Sequence, residues 1–134
     1  MSPFSRSSVP ENSRRFGFVM GAGRIAFGAV MVLAPGAFLA IARTPADQVN
    51  TSGRLLTRMT GMRDIVLGVH VLRQLDDRDS LRNAALLNAA VDGGDALWLA
   101  ASSRDEGFFV AGASGLPVAA GACASFLGLA RSLD

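Results

Sequence analysis

The chain contains four apolar segments that are each long enough to cross a lipid bilayer as a helix. They cover residues 16–42, 57–75, 81–101 and 107–130 of the 134-residue sequence. A membrane-spanning helix needs about 20 predominantly apolar residues. Their Ala and Leu content, without sustained alternation of polar and apolar residues, favours helices over strands. Because the connections are short, the sequence predicts an all-α fold, an antiparallel four-helix transmembrane bundle.

The remaining residues form a polar tail and polar connections. Residues 1–15 predict a disordered cytoplasmic tail, which leaves residues 16–134 as a single four-helix membrane domain. Between the first and second segments, Thr44 is a candidate N-cap, followed by Pro45 and by Asp47 in the first turn. This pattern predicts a short amphipathic surface helix between the first two spans.

The arginines predict how the protein is oriented. All 13 basic residues are arginine, and basic residues are in excess on the cytoplasmic side of a membrane protein. One side of the predicted bundle carries Arg6, Arg14, Arg15, Arg73, Arg78, Arg82 and Arg131. The other side carries Arg43, Arg54 and Arg104, with Arg58 near the membrane edge. We therefore expect a multi-pass protein of the cell membrane, with the lipid bilayer as its partner and both termini in the cytoplasm.

Composition excludes several functional classes. The arginines are dispersed and the net charge is only +2, so nucleic acid is not expected as a partner. The single cysteine, Cys123, excludes an intramolecular disulfide and a CxxC metal site. No Gly-rich phosphate loop, HExxH motif or GxSxG motif is present. We expect no metal site and no cofactor.

Charged and amide side chains interrupt the apolar segments. They are Arg24 in the first segment, Arg63 and Asp64 in the second, and Asn88, Asp92 and Asp95 in the third. Ionisable residues inside a membrane are costly and pair with one another in the bundle interior. Arg63 and Asp64 point about 100° apart on a helix, so each is expected to contact a different helix. Charged residues at similar depths on neighbouring antiparallel helices can form ion pairs. Depth therefore predicts that Arg63 pairs with Asp95, and that Arg24 pairs with Asp92 or Asp64.

Small residues recur at helical spacing and predict where helices approach closely. In the first two segments they share a face with the charges, as Gly17, Gly21, Arg24 and Gly28, and as Thr57, Gly61, Asp64 and Gly68. In the fourth segment they form two stripes, Gly107, Ala111 and Gly115, and Gly121, Ser125 and Gly128. Such stripes let membrane helices pack closely, within a compact bundle or across a homodimer.

Several functions are compatible with the polar cluster. It is structural if the charges only hold the bundle together. It binds a hydrophobic or amphipathic small molecule if the carboxylates and His70 orient a polar head. A membrane enzyme of the isomerase or cyclase type would use Asp92, Asp95 or His70 for proton transfer, and an oligomer would conduct protons or ions with Asp92 as the titrating group. We favour a structural or small-ligand-binding module over catalysis.

Two other interpretations of the apolar segments stay open. A soluble all-α bundle would explain the internal charges, but its helices should show polar outer faces, and the first and fourth segments have almost none. A cleaved signal peptide would explain why Arg14 and Arg15 precede an apolar run that ends at residues 40–42. That run is long, carries Arg24, and is followed by three more apolar segments.

Two short motifs resemble those of a known family. GRIAFG at residues 23–28 precedes GMRDIVLG at residues 61–68, and an Asp-bearing third helix follows. The pattern resembles a family of small four-helix bacterial membrane proteins known only as a domain of unknown function, over residues 16–129. The resemblance implies an integral membrane fold, brings no activity with it, and leaves the N-terminal tail outside. Its signature positions are Arg24, Arg63, Asp64 and Asp92.

Overall fold

In a computed structural model the chain is all-α, as predicted. The structure describes residues 8–102 and 109–134, and within those ranges it contains five α-helices, one 3₁₀ turn and no strand. The elements are α1 Glu11–Leu33, α2 Pro35–Ile41, the 3₁₀ turn Ala46–Gln48, α3 Thr51–Arg73, α4 Arg78–Ser102 and α5 Phe109–Arg131. The helices α1, α3, α4 and α5 correspond to the four apolar segments.

The first apolar segment forms two helices, and the break between them is at Ala34. α1 ends at Leu33, and Ala34 leaves the helical region with φ −131° and ψ 55°. A residue before proline is disfavoured in the α conformation, and Pro35 then begins α2 at a position where its missing N–H costs nothing.

The N-terminal boundary of α1 also differs from the prediction. The helix begins at Glu11, so residues 11–15 of the predicted disordered tail are helical. Arg15 Nε donates to Glu11 Oε1 at 2.7 Å across one turn, a spacing that supports helix formation. Residues 1–7 of the predicted tail lie outside the described residues.

The predicted surface helix between the first two segments is only a single 3₁₀ turn. Pro45, rather than Thr44, occupies its N-cap position. α3 then begins at Thr51, six residues before the predicted span. The Asn50 side chain explains the early start, because it accepts a hydrogen bond from Gly53 N at 2.9 Å.

Glycines join α1 and α3 into a tightly packed antiparallel pair. A Cβ on Gly28 would lie 2.5 Å from the Gly61 carbonyl oxygen, and a Cβ on Gly61 would lie 2.6 Å from that of Gly28. Gly21 and Gly68 oppose each other in the same way, at 3.1 and 2.6 Å. The predicted glycine faces of the first two segments are confirmed as the surfaces along which these helices touch.

The second antiparallel pair is α4 with α5, packed through less crowded contacts. A Cβ on Gly93 would lie 3.4 Å from Cys123 Sγ, and one on Gly115 would lie 3.2 Å from the Leu99 side chain. No described atom lies within 4 Å of a Cβ placed on Gly121 or Gly128, so these two glycines of the predicted stripe make no close helix contact with the described residues. Gly107 and Ala111, from the other predicted stripe, lie outside the residues whose side chains are described.

The apolar core lies at the end of the bundle near the C-terminus. It is formed by Val71, Leu81, Ala84, Ala85, Ala89, Phe126, Leu129, Ala130 and Leu133. At this end Arg78 Nε donates to the Leu133 carbonyl oxygen at 2.7 Å, and Arg82 pairs with Asp134 at 2.6 Å. The middle of the bundle, between the two helix pairs, is occupied by charged side chains instead.

Candidate functional site

Arg24 is the centre of a buried ion-pair network that joins α1, α3 and α4. Its Nη1 and Nη2 atoms donate to the two carboxylate oxygens of Asp92 at 2.8 and 2.6 Å, and Nη2 also donates to Asp64 Oδ1 at 3.2 Å. The three side chains are 8%, 6% and 9% exposed. A bidentate guanidinium–carboxylate pair has strong directional preference, so Arg24 fixes the relative position of three helices.

Arg63 forms a second bidentate pair at the edge of the same network. Its Nη1 and Nη2 atoms donate to Asp95 at 3.0 and 2.7 Å, and Nη2 also donates to Asp64 Oδ1 at 3.2 Å. The Arg63 and Asp95 side chains are 36% and 37% exposed. Both predicted pairings are therefore present. One oxygen of Asp64 accepts from both arginines, a contact that was not predicted from the sequence.

A local symmetry of the sequence places Arg24 opposite Asp64. Residues 21–28 read GAGRIAFG and residues 61–68 read GMRDIVLG, with glycine at both ends and a charge at the fourth position of each. Because the helices run antiparallel and their end glycines oppose each other, the two charges meet between the glycine contacts. The Arg24–Asp64 contact, one of the two alternatives predicted for Arg24, is present together with the Arg24–Asp92 pair.

Asn88 lies one turn before Asp92 and is completely buried. Its Nδ2 donates to the Ala84 carbonyl oxygen at 2.9 Å, and its Oδ1 accepts no hydrogen bond from the residues that the structure describes. Arg24 Nε and Arg63 Nε are also buried and have no acceptor among the described residues. Buried polar atoms are normally hydrogen-bonded, so these three atoms are the places where the network is incomplete.

Phe126 of α5 is a member of the site that sequence reasoning missed. Its ring centroid lies 5.6 Å from Arg24 Cζ, a distance at which a guanidinium is attracted to an aromatic face. The side chain is fully buried. The available signal was that Phe126 is the single aromatic residue in the Gly- and Ala-rich range 110–130. Through Phe126 the fourth long helix also contacts the network.

His70 is not brought into the network. The side chain is half-buried on α3, seven residues after Arg63. None of the hydrogen bonds and ion pairs between described residues includes it. Two shallow surface grooves have linings that do not include Asp92, Asp95 or His70. One lies between the start of α1 and the end of α5, around Ser13 and Ser132, and the other is beside Phe18 and Leu75.

The described residues contain no group of three or more His, Cys, Asp or Glu side chains arranged to hold a metal ion. Among them, α1 is the one helix that is long and apolar enough to cross a membrane, judged by length and composition.

Comparison of the chain with protein family models, curated proteins and solved structures finds no match. The resemblance to a bacterial four-helix family therefore stays a prediction.

Proposed function

We propose that the chain is a multi-span integral membrane protein in which α1, α3, α4 and α5 all cross the bilayer. The supporting observation is that the long helices expose large apolar side chains, whereas most of the charges in the middle of these helices are buried. Large apolar side chains are exposed on every long helix, among them Val19 and Leu33 on α1, Val66 on α3, Trp98 on α4 and Val118 on α5. Arg24, Asp64, Asn88 and Asp92 are buried, as expected where lipid is the solvent.

The charges of α3 and α4 are compatible with this proposal because of where they lie. Both helices carry more charge than a simple apolar span. Arg54 and Arg58 lie in the first part of α3 and Arg73 at its end, while Arg78 and Arg82 lie in the first part of α4. Long arginine side chains near helix ends reach the membrane surface, and the mid-helix charges are paired within the bundle.

The proposed topology follows from the order of the helices. Four antiparallel crossings place both chain termini on one side, and the arginine distribution favours the cytoplasm. Helix α2 and the 3₁₀ turn then lie at the outer surface. This arrangement agrees with the resemblance to small four-helix bacterial membrane proteins, which we retain as part of the proposal.

Within this fold, we propose that the Arg/Asp network is a structural clamp between two helix pairs. The observation that carries this proposal is that Arg24 and Arg63 each make a bidentate pair across the boundary between the α1/α3 pair and α4. Direct packing across that boundary is sparse, in contrast to the dense packing within each pair. The clamp acts in the middle of the bundle, beyond the apolar core that joins the helices near the C-terminus.

A small-ligand site is the second candidate function, and Asn88 favours it. A hydroxyl or amine of a bound molecule would donate to the buried Asn88 Oδ1, which has no donor within the described chain. Proton-transfer catalysis and ion conduction through Asp92 stay predictions of the sequence. The carboxylates of Asp92 and Asp95 are both paired with arginine, so the contacts in the structure do not favour these functions over the clamp.

The membrane proposal predicts the behaviour of the protein on extraction. We expect it to stay in the membrane pellet after carbonate at high pH and after high salt, because its apolar outer faces are solvated by lipid, and to be released by detergent. The measurement is immunoblotting of pellet and supernatant. Release by carbonate alone would contradict the proposal.

The clamp proposal predicts unequal effects of two matched substitutions. Asp92→Asn should lower the midpoint of thermal unfolding in detergent more than Asp95→Asn does, because the Arg24–Asp92 pair is enclosed by the chain and neutralising one partner of a buried pair is strongly destabilising, while the Arg63–Asp95 pair is only partly enclosed by the chain. Circular dichroism would measure both transitions. An Asp92→Asn protein that unfolds at the same temperature as the native chain would refute the clamp and favour the ligand site beside Asn88.

A further inference from the structure

The Arg63–Asp95 pair lies on an outward-facing surface where α3 and α4 run side by side. On α3 the residues spaced i, i+4, i+7 and i+11 around Arg63 share one face, and on α4 those spaced i, i+4 and i+7 around Asp95 do the same. We call this surface the α3/α4 edge. It consists of Met59, Arg63, Val66 and His70 on α3, and Val91, Asp95 and Trp98 on α4. Met59, Val66 and Trp98 are among its exposed apolar members.

The exposed fraction of the ion pair is costly if the helices cross a membrane. About a third of each charged side chain, 36% for Arg63 and 37% for Asp95, is not covered by the chain. Charges that face hydrocarbon are unfavourable by a few kcal/mol or more. The pair is therefore expected to be covered by another molecule, and its position and charge indicate which one.

Depth excludes a lipid headgroup as the covering group. Arg63 is close to the middle of the 23-residue helix α3, about 15 Å or more from either end at 1.5 Å per residue. Headgroups lie at the membrane surface, beyond the hydrocarbon core of about 30 Å. A molecule that contacts Arg63 and Asp95 must itself lie within the hydrocarbon layer, as a helix of a membrane protein does.

We propose that the α3/α4 edge is the interface of a homodimer, with a second copy of this chain as the occupant. The inference rests on the proposed membrane fold. The edge presents a guanidinium and a carboxylate side by side, so it is complementary to itself under a two-fold axis. An axis along the membrane normal preserves depth. Since Arg63 and Asp95 contact each other directly, they lie at the same depth, and Arg63 of each copy meets Asp95 of the other.

Site-directed crosslinking tests this interface with a matched pair of positions. In a Cys123→Ser background, Trp98→Cys places a thiol on the edge, and Leu97→Cys places one on the neighbouring residue. The two native side chains are almost equally exposed, 76% and 74%, but they point about 100° apart on the helix. We expect a short bifunctional maleimide added to native membranes to give a dimer band with Trp98→Cys and none with Leu97→Cys.

The role of the ion pair is tested in the same background. Adding Asp95→Asn to Trp98→Cys should reduce the dimer band, while thermal unfolding confirms that the variant is folded. Equal bands at positions 97 and 98, a band unaffected by Asp95→Asn in a folded protein, or single-step photobleaching of the labelled chain in liposomes would each overturn the dimer. Failure of the membrane fold itself is distinguishable, because it appears as release by carbonate.

Discussion

Replacing Arg24 with methionine is expected to lower the free energy of unfolding by about 3–5 kcal/mol, the range for removing one partner of a buried pair. Methionine keeps much of the length of the side chain but leaves Asp64 and Asp92 without the guanidinium that both contact. Asp92 is then buried as an uncompensated charge, while Asp64 keeps only its 3.2 Å contact with Arg63. The measurement is equilibrium unfolding in detergent micelles, followed by helical circular dichroism.

Two controls separate the loss of charge pairing from a general effect of removing arginine. Arg15→Met removes an exposed arginine of the same helix that pairs with Glu11, and its effect is expected to be about 0–1 kcal/mol. The triple variant Arg24→Met, Asp64→Asn, Asp92→Asn removes the charges together and should recover part of the lost stability. If Arg24→Met were as stable as Arg15→Met, the network would not be the clamp.

The free energy of unfolding of Arg24→Lys is expected to lie between that of the native chain and that of Arg24→Met. A lysine ammonium keeps the positive charge but lacks the planar fork that makes two parallel hydrogen bonds to Asp92 while reaching Asp64. The difference in the free energy of unfolding between the lysine and methionine variants measures the contribution of the positive charge. The difference between the native chain and the lysine variant measures the contribution of the bidentate geometry.

The ion pairs were predictable from the sequence because helical geometry and depth are regular. Residues separated by three or four positions share a face of a helix. The depth of each residue follows from its position along the helix, so residues at equal depth on antiparallel helices can be identified. This reasoning is sufficient for Arg24–Asp92 and Arg63–Asp95. It does not predict the double role of Asp64, because a flexible arginine side chain reaches back to its own neighbour in a way that a helical wheel does not represent.

The uneven packing of the bundle was not predictable in the same way. Short connections predict that consecutive long helices are neighbours. This argument predicts equally close packing for all three consecutive pairs. In the structure α3 and α4 pack sparsely although they follow each other in the chain. The reason is local: opposed glycines bring α1 and α3 together, whereas Arg63 and Asp95 fill the space between α3 and α4. Side-chain size across the boundary, rather than connection length, sets the distance.

Gly61→Ala is expected to destabilise the protein by about 2–3 kcal/mol, the upper part of the range for overpacking a tight contact. The new methyl group would lie 2.6 Å from the Gly28 carbonyl oxygen and 2.8 Å from Met31 Cβ. Neither atom is the end of a flexible side chain, so α3 as a whole has to move away from α1. That movement also lengthens the Arg24–Asp64 contact, which lies one turn further along.

Two other glycines give the matched control, because alanine is a better helix former than glycine by up to about 1 kcal/mol. A Cβ on Gly23 of α1 or on Gly94 of α4 meets no described atom within 4 Å. Gly23→Ala and Gly94→Ala should therefore leave stability unchanged or raise it. If all of these substitutions destabilised the protein equally, the role of glycine would be its backbone conformation rather than the close contact between α1 and α3.

The double variant Gly28→Ala, Gly61→Ala tests whether the two opposed glycines form one contact. Each single substitution is expected to separate α1 from α3, and the separation made by the first removes most of the clash of the second. Residues in direct contact are non-additive by about 0.5–3 kcal/mol, so the double variant should lose clearly less stability than the two single losses combined. Additive losses in detergent unfolding would contradict the packing of Gly28 on Gly61, and with it the reason that Arg24 and Asp64 meet.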